Sequence, residues 1–516
     1  MRSVTGRLSM SESSRADWIC QDATGPRSEW SRAERSMASG DLEIPLLLGP
    51  SPRGSVRAGL AEALRQAVLD GRYRAGDPIP SSRVLAERLG VSRGSVVAAV
   101  DQLVGEGYLV AHPRAAVTVA SDGLLAPAPE EPRPESGETV VPPAAADLRP
   151  GRPDTRALDT PEWRAAWRLA LASPPSAPPR GSGDPALREQ IAEQLRRSRG
   201  VDVQVSDVVV TSGTAGAVAL LARAASASLG REVRVAVEDP GYPAVRRRLR
   251  ADGHEVVGVP VRGDGIDLDA LASSGADVVV VTPSHQYPTG GRLALAERLE
   301  LVRRASAGPL LVVEDDYDSE FRYVGAPLPA LASLDSGGGV AHVGSFSKTV
   351  SPWLRIAYLA VPRASWLRGA LTGLDDEKDA SASGPTQAAL AQFMASGAFR
   401  RHLTRSRRRY AHRRELVHAF GESVPWGRAS GLDGGLHVVL SLPAPLDAHA
   451  VAAALLREGL LVATLHEYAL SGRAATEALV LGYGHVGDLE LAAALDLVDR
   501  TVRALAAGAV RGIPGG

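Results

Sequence analysis

Lys348 is one of only two lysines in a chain of 516 residues that holds 58 lysines and arginines together, the other being Lys378. Such a chain uses arginine almost wherever it needs a cation, so a retained lysine suggests a task that arginine cannot perform. Arginine cannot lose its proton, whereas a desolvated lysine amine can, and the free amine condenses with aldehydes. The alternative is a solvated surface lysine, which the apolar segment shortly before Lys348 disfavours. We therefore expect Lys348 to act as a nucleophilic amine.

Asp315 comes at the end of a segment whose first four residues, 310–313, are apolar. An isolated carboxylate in such a place is costly unless a cation or a hydrogen-bond donor meets it. A protonated ring nitrogen of a bound molecule would serve as that partner. The alternative is that Asp315 caps a helix after the strand.

Residues at two other places could hold a phosphate and an aromatic ring. Ser212, Gly213 and Thr214 stand between a predicted strand and a predicted helix, where backbone N–H groups bind anions, although such a turn is weak evidence alone. Arg355 adds a fixed positive charge, and Tyr242 could stack on a ring, although ordinary packing explains a single tyrosine equally well. An amine, a carboxylate, a phosphate cradle and an aromatic side chain are the requirements of pyridoxal 5′-phosphate (PLP), which we predict as the cofactor.

The elements that must position these residues alternate along the chain from about residue 147 onward. Short β-branched segments, typical of buried strands, are separated by longer segments of helical periodicity, which predicts a doubly wound sheet. Ligands of such sheets bind at the carboxyl ends of the strands, where the candidate residues lie. The predicted strands cover residues 207–211, 233–238, 277–282, 310–314 and 356–360.

A separate group of elements is predicted between residues 51 and 120. Apolar residues recur every four positions from Val56, and two further helices begin after Ser81 and Ser92, which are suitable N-caps. Two short strands follow, at 108–110 and 117–119. This order is typical of a winged helix-turn-helix, and arginines outnumber acidic residues here, as contacts with phosphates require. A three-helix bundle without a DNA-binding function is the alternative.

The segment 80–97 resembles the GntR-type DNA-binding domain. The resemblance implies that Ser82 and Arg83 contact the DNA backbone. It also implies that Ser92, Arg93 and Ser95 lie at the major groove of double-stranded DNA.

Four segments of the larger region resemble fold-type I aminotransferases, and in particular the MocR/GabR branch of transcriptional regulators. These segments are Glu238-Asp-Pro-Gly-Tyr242, Thr282-Pro-Ser-His-Gln-Tyr-Pro-Thr-Gly290, Glu314-Asp-Asp-Tyr-Asp-Ser-Glu-Phe-Arg-Tyr323 and Gly344-Ser-Phe-Ser-Lys348. The resemblance implies that Lys348 binds the PLP aldehyde, that Asp315 meets the pyridine nitrogen and that Tyr317 lies near the 3-hydroxyl. It further implies a phosphate site formed by Ser212, Gly213, Thr214, Ser345 and Arg355.

Two departures from the aminotransferase pattern bear on function. Tyr287 stands where many of these enzymes have asparagine, and the segment 478–483 lacks the arginine with which many of them hold a substrate carboxylate. We therefore expect a PLP-binding transcriptional regulator that senses PLP or an amine or amino-acid effector. The alternative is an active aminotransferase that carries a DNA-binding domain. The family resemblance also implies a homodimer.

The expected fold is α/β, with an N-terminal winged helix-turn-helix domain and a PLP-dependent transferase domain of fold-type I. The transferase domain has a mixed, mostly parallel sheet with helices on both faces. We expect a disordered tail at 1–43, the DNA-binding domain at 44–120, a linker at 121–146 and the transferase domain at 147–516. Met37 is an alternative start of translation.

Composition excludes several other classes of protein. Cys20 is the only cysteine, so the chain can form neither an internal disulfide nor a thiolate cluster, and we expect no metal site. No apolar stretch is long enough for a membrane span, and the first 20 residues lack the apolar core of a signal peptide. We therefore expect a cytoplasmic protein without a membrane partner.

Overall fold

The computed structural model describes residues 56–113, 115–120, 146–172, 180–326, 328–362, 365–371 and 382–511. The chain divides into two compact units, Met1–Glu138 and Thr139–Gly516. This division falls inside the predicted linker. The predicted tail at 1–43 lies outside the described residues, as does the predicted linker except for its last residue.

The described residues of the first unit form three helices followed by a two-stranded antiparallel sheet. Apolar residues of all three helices pack into one core, which includes Leu60, Leu64, Leu85, Val96 and Leu103. The helices are α1 (Val56–Leu69), α2 (Ser82–Leu89) and α3 (Arg93–Gly105), and the strands are β1 (Leu109–Val110) and β2 (Thr118–Val119).

The second unit contains an eight-stranded sheet, a four-stranded sheet and a two-stranded sheet. The strands are β3 (Ala146–Asp147), β4 (Val208–Thr211), β5 (Arg234–Asp239), β6 (Glu255–Arg262), β7 (Gly265–Ile266), β8 (Val278–Val281), β9 (Leu311–Asp316), β10 (Val340–Ser345), β11 (Ala357–Ala360), β12 (Ala429–Ser430), β13 (His437–Ser441), β14 (Leu460–Leu461), β15 (Ala463–Thr464) and β16 (Ala478–Gly482). The helices are α4 (Pro161–Leu171), α5 (Pro185–Arg199), α6 (Thr214–Leu229), α7 (Pro243–Ala251), α8 (Leu268–Ser273), α9 (Leu295–Ala307), α10 (Leu331–Leu334), α11 (Arg368–Leu371), α12 (Gly384–Ala395), α13 (Ala398–Ser423), α14 (Ala448–Arg457) and α15 (Asp488–Arg511).

The large sheet has the strand order β4-β11-β10-β9-β8-β5-β6-β7. Its five central strands, from β10 to β6, are parallel to one another, whereas β11 is antiparallel to both of its neighbours. Successive valines of β8 enter different apolar cores, Val279 and Val281 on one face and Val278 and Val280 on the other. This two-sided burial explains why β8 consists only of valine. The mixed, mostly parallel sheet confirms the predicted fold class.

The five predicted strands correspond to β4, β5, β8, β9 and β11. The strand that precedes Lys348, β10, corresponds to the apolar segment expected before that residue, although it is not among the five quoted strands. His342 and Gly344 interrupt its apolar residues. The remaining large strand, β6, contains Gly258 and Pro260.

The smaller part of the second unit follows α13 and packs around its own apolar core. Its sheet has the order β12-β13-β16-β15, with antiparallel neighbours, while β14 pairs in parallel with β3. Within the described residues, no helix combines the length and the apolar composition needed to cross a membrane.

Candidate functional site

A cavity of about 680 Å³, counting its open mouth, lies at the carboxyl ends of the central strands. Eight of the nine residues predicted for the cofactor site line it. The lining residues are Gly213, Thr214, Ala215, Tyr242, Ala244, Thr282, Tyr287, Asp315, Tyr317, Ser345, Ser347, Lys348 and Arg355.

Lys348 reaches the cavity from the turn that follows β10. Its side chain is half-buried, and its Nζ donates a hydrogen bond of 2.9 Å to the carbonyl oxygen of Gly151. Burial lowers the pKa of Lys348, and the nearby carboxylates of Asp318 and Asp315 oppose this shift only in part. A larger fraction of the amine is therefore unprotonated, and so nucleophilic, than for a lysine in water.

Asp315, near the end of β9, is only 4% exposed. Its Oδ1 is buried and has no hydrogen-bond partner. Burial, together with the charges of Asp316 and Glu238, raises the pKa of Asp315 to about 8. A cationic N–H group in the cavity would supply the missing partner and stabilise the carboxylate. The pyridine ring of PLP carries such a group when protonated, so Asp315 fits this cofactor.

The beginning of α6 and Arg355 form the cationic end of the cavity. Gly213 is the N-cap of α6 and provides no side chain to bind the first N–H groups, which therefore remain available to an anion. The Arg355 guanidinium lies 3.4 Å from the position that a Cβ on Gly213 would occupy. Within the described residues, Arg355 is the one non-glycine residue with positive φ, at 52°. A backbone conformation of this kind costs energy and often marks a functional residue.

The antiparallel direction of β11 explains how Arg355 reaches this end of the sheet. Arg355 precedes β11, and the amino end of an antiparallel strand lies beside the carboxyl ends of its neighbours. Ser345, at the end of β10, accepts a hydrogen bond of 3.0 Å from the backbone N–H of Ser347. Ser212 is the predicted residue that does not line the cavity, and its side chain is exposed.

Aromatic side chains form one wall of the cavity. Tyr287 contacts Tyr242, Tyr317 and Tyr468 edge to face, with ring centroids 5.9, 5.4 and 5.3 Å apart. Tyr287 is buried, whereas Tyr242 is 44% exposed and borders the cavity. Tyr242 therefore presents free ring surface, while Tyr287, which also lines the cavity, is held by edge-to-face contacts with its neighbours.

The Tyr317 hydroxyl contacts a buried histidine that does not line the cavity. It lies 3.0 Å from Nδ1 of His285, which in turn lies 2.8 Å from Oδ2 of Asp318. Nε2 of His285 lies 3.0 Å from the carbonyl oxygen of Gly431. Our sequence reasoning missed His285, Asp318 and Gly151, although the first two lie within motifs that carried the family resemblance.

The predicted DNA-contacting residues come together at the start of α2 and α3. Ser92 caps α3 by accepting a hydrogen bond from the N–H of Ser95, at 3.1 Å. Arg93 Nε donates to Oγ of Ser82, at 3.2 Å, which ties the two helices together. Arg83, Ser92 and Arg93 are exposed. They form a polar surface at the N-terminus of the helix that the winged helix-turn-helix would place in the major groove.

Two family descriptions match the sequence. Residues 152–476 match the family described as aminotransferase class I and II. Residues 57–119 match the bacterial regulatory proteins of the gntR family.

The chain is also similar to several bacterial regulators over most of their length. The HTH-type pyridoxine biosynthesis transcriptional regulator PdxR of Corynebacterium glutamicum is 40% identical over 447 residues, which cover 86% of this chain and 95% of the relative. TauR of Rhodobacter capsulatus is 32% identical over 90% of this chain and 100% of its own length. The probable rhizopine catabolism regulatory protein MocR of Rhizobium meliloti is 33% identical over 75% of this chain and 82% of its own length.

Solved aminotransferase structures share the fold of the second unit. LysN, an α-aminoadipate aminotransferase from Thermus thermophilus, aligns with a TM-score of 0.61 and 27% identity over 70% of this chain and 92% of its own. An archaeal alanine:glyoxylate aminotransferase aligns with a TM-score of 0.63 and 23% identity, over 70% of this chain and 91% of its own.

Proposed function

Since the chain belongs to the family of HTH-type transcriptional regulators that join a gntR-type domain to an aminotransferase class I and II domain, we propose that it regulates transcription as a PLP sensor. In this proposal the first unit binds double-stranded DNA and the second binds PLP covalently at Lys348. In this proposal DNA binding and PLP binding both take place in the cytoplasm.

The observation that carries the cofactor proposal is the buried, unpartnered Oδ1 of Asp315 in the same cavity as Lys348. When bound, PLP supplies an aldehyde that reacts with primary amines and a pyridine ring whose protonated nitrogen donates a hydrogen bond. We assign the aldehyde to Lys348, the ring nitrogen to Asp315 and the 3-hydroxyl to Tyr317. Tyr242 stacks on the ring.

The phosphate of PLP binds at the cationic end of the cavity in this proposal. The N–H groups at the start of α6 and the Arg355 guanidinium hold its charge, with the hydroxyls of Thr214 and Ser345 as further donors. Ser212 flanks this site without lining it.

The charges of the cavity favour PLP itself over an amino acid as the effector. Among the described residues that line it, Arg355 is the one arginine, and the phosphate uses it. An amino acid would bring a carboxylate that requires another cation, and a buried anion without one is costly. The similarity to PdxR, whose name refers to pyridoxine biosynthesis, supports the same choice.

Binding to DNA is proposed for the exposed N-terminus of α3, with Arg83 and Ser82 at the phosphate backbone. Ser92, Arg93 and Ser95 then face the base edges. A homodimer would present two such helices to two half-sites, and PLP would change the relative stability of the conformations that hold them.

The second candidate function is an active aminotransferase that carries a DNA-binding domain. The combination of Lys348, Asp315 and Tyr317 in one cavity supports it. Against it, β16 consists of buried apolar residues and glycine and offers no cation for a substrate carboxylate. Incubation with amino donors separates the two functions, because only an enzyme produces ketoacid over many turnovers.

The proposed function is tested by gel shifts on DNA from the upstream region of the gene, with and without PLP. The wild-type protein and the Lys378→Ala variant should change their DNA affinity when PLP is added, whereas Lys348→Ala should not. If the DNA affinity of the wild-type protein is the same with and without PLP, the proposal is contradicted. A response that survives in Lys348→Ala would also contradict it.

A further inference from the structure

His285 makes one contact at Nε2 and two at Nδ1, and the three cannot all be satisfied by a neutral ring. Nε2 faces the carbonyl oxygen of Gly431, which can only accept, so Nε2 must carry a hydrogen. A neutral ring would then turn the lone pair of Nδ1 toward the carboxylate of Asp318, 2.8 Å away. A ring with hydrogen on both nitrogens donates to both oxygens and removes this conflict.

A doubly protonated His285 ring fixes the direction of its hydrogen bond with the Tyr317 hydroxyl. The hydroxyl oxygen lies 3.0 Å from Nδ1, and a protonated Nδ1 can only donate. The phenol oxygen therefore accepts from His285, and the phenol hydrogen is left to point elsewhere. The Asp318 carboxylate, which also interacts with the Tyr317 hydroxyl, already accepts from Nδ1 of His285. Tyr317 lines the cavity of Lys348 whereas His285 does not, so an acceptor placed in the cavity could take the phenol hydrogen instead.

We propose that His285 and Asp318 are positioning residues for the cofactor pocket: Asp318 keeps a proton on Nδ1 of His285, and this directs the hydroxyl proton of Tyr317 into the cavity. The inference rests on the proposed function, because the acceptor of that proton is the phenolic oxygen of bound PLP. Neither positioning residue needs to touch the cofactor.

The charges around these groups are consistent with this arrangement. Burial opposes a charged ring, but the Asp318 carboxylate, the hydrogen bond to the Gly431 carbonyl and the charge of Asp433 together outweigh it and raise the pKa of His285. Burial raises the pKa of Tyr317, so its phenol keeps the proton that it donates. Burial and the charge of His285 lower the pKa of neighbouring His437 to about 3, so that ring stays neutral.

Other charged groups face His285 from several elements. Asp433 lies on the segment before β13 and adds to the negative charge that favours the protonated ring. His285 and Asp318 line a second cavity, whose lining includes the four arginines Arg199, Arg292, Arg298 and Arg322. Two of these are already occupied: Arg199 pairs with Asp316, and Arg298 donates to backbone carbonyls. The remaining cationic groups nearby are Arg292 and Arg322, which line that same cavity, and Lys348, which interacts with Asp318.

Close packing against Gly435 holds the side chains of His285 and Asp318 in their relative positions. Gly435 has φ of 71°, and a Cβ there would lie 2.5 Å from Cε1 of His285 and would also overlap Oδ2 of Asp318. Only glycine fits this position without moving one of the two side chains. The pair therefore has little freedom to adopt another arrangement.

The test is a pH titration of the absorbance of PLP-loaded protein, whose midpoint reports how strongly the bound chromophore holds its proton. A donor at the phenolic oxygen stabilises the ionised form, so its loss raises the midpoint, by about one pH unit. We expect this rise in Tyr317→Phe and in His285→Gln. In the double variant the second substitution should add nothing, because His285 acts through the phenol.

Asp318→Asn distinguishes positioning from simple electrostatics by the sign of its effect. If Asp318 acted only as a charge near Lys348, its removal would lower the midpoint. If it keeps His285 protonated, the ring becomes neutral in the variant, Nδ1 accepts the Tyr317 proton, and the midpoint rises. Asp318→Asn also preserves the size of the side chain, so it can be used for the test if His285→Gln does not fold.

The matched control is His466→Gln, since His466 is also buried and paired with a carboxylate, Glu477, at 2.9 Å. Its midpoint should equal that of the wild type. A wild-type midpoint in His285→Gln, or a lowered one in Asp318→Asn, would overturn the inference while PLP uptake upheld the proposed function. A wild-type protein that takes up no PLP would overturn the proposed function and this inference with it.

Discussion

The amine of Lys348 donates a hydrogen bond to the backbone carbonyl of Gly151, a residue 197 positions earlier in the chain. The contact joins the turn after β10 to the segment after β3. Gly151 has φ of 103°, and a Cβ on it would lie 3.2 Å from Nζ of Lys348. The amine of Lys348 is therefore held against a backbone position that glycine alone can occupy without strain.

Replacement of Gly151 by alanine should impair the capture of PLP. The strained backbone costs about 1–3 kcal/mol of stability, and the added methyl group crowds the amine. The control is Gly253→Ala, at φ 91°, where a Cβ would meet nothing within 4 Å. We expect both variants to lose similar unfolding free energy, but only Gly151→Ala to bind PLP more slowly, as followed by absorbance. Equal capture rates in the two variants would refute the role of this contact.

Asp315→Asn should make the free energy of unfolding of the PLP-free protein depend less on pH. The pKa of Asp315 is raised from 3.8 in the unfolded chain to about 8 in the folded one, so the folded state binds more protons between these values. The wild type therefore loses stability relative to the variant as pH rises from about 4 to about 8. Denaturant unfolding of both proteins across this range measures the difference. A difference that stays constant with pH would contradict burial of an ionisable Asp315.

The same substitution should weaken the binding of PLP. Asparagine cannot supply the negative charge that stabilises a protonated pyridine nitrogen, and we expect an affinity loss of at least about tenfold. Equilibrium titration of absorbance gives the affinity. An unchanged affinity would mean that Asp315 does not meet the ring nitrogen.

Several of these site residues could be predicted because their local sequence is unusual. Lys348 stands out in a chain that otherwise uses arginine, and Asp315 stands out as a carboxylate at the end of an apolar strand. Thr214 and Gly213 were predictable because a strand, a turn and a helix follow one another directly. In each case the chemistry of the side chain and its neighbours along the chain were sufficient to predict a place in the binding site.

Other features depend on contacts that no local pattern records. Gly151 meets Lys348 only because β3 and β10 belong to the same folded unit, and His285 meets Asp318 across two loops. The position of Arg355 depends on the antiparallel direction of β11, which an apolar segment of four residues does not reveal. Tyr242 and Ser212 were predicted alike, yet only Tyr242 lines the cavity, because side-chain direction is decided by tertiary packing.

Arg93→Ala should weaken DNA binding by about 1–3 kcal/mol, which corresponds to roughly fivefold to 150-fold in affinity. Arg93 is exposed at the start of α3 and donates to Ser82, so its guanidinium would be accessible to bound DNA. The control is Arg72→Ala, an exposed arginine of the same unit that pairs with Asp70 at 2.6 Å. Gel shifts on upstream DNA compare the three proteins. Equal affinity of Arg93→Ala and wild type would exclude α3 as the recognition helix.

Trp353→Ser should weaken self-association of the chain. Trp353 is 89% exposed and stands two residues before Arg355, so the proposed homodimer would bury it beside the cofactor pocket. A buried interface tryptophan commonly contributes at least about 2 kcal/mol to binding. Leu489→Ser is the control, because Leu489 is also 89% exposed. Sedimentation equilibrium should show weaker dimerisation for Trp353→Ser alone, and the same constant for both variants would argue against this interface.

The most direct test of the central claim is to locate PLP on the chain. Protein incubated with PLP is reduced with borohydride, digested and mapped by mass spectrometry, which identifies the modified amine. The account predicts the label on Lys348, at one per chain, and its loss in Lys348→Ala. Protein that carries no label after reduction, or carries it on Lys378 instead, would contradict the account.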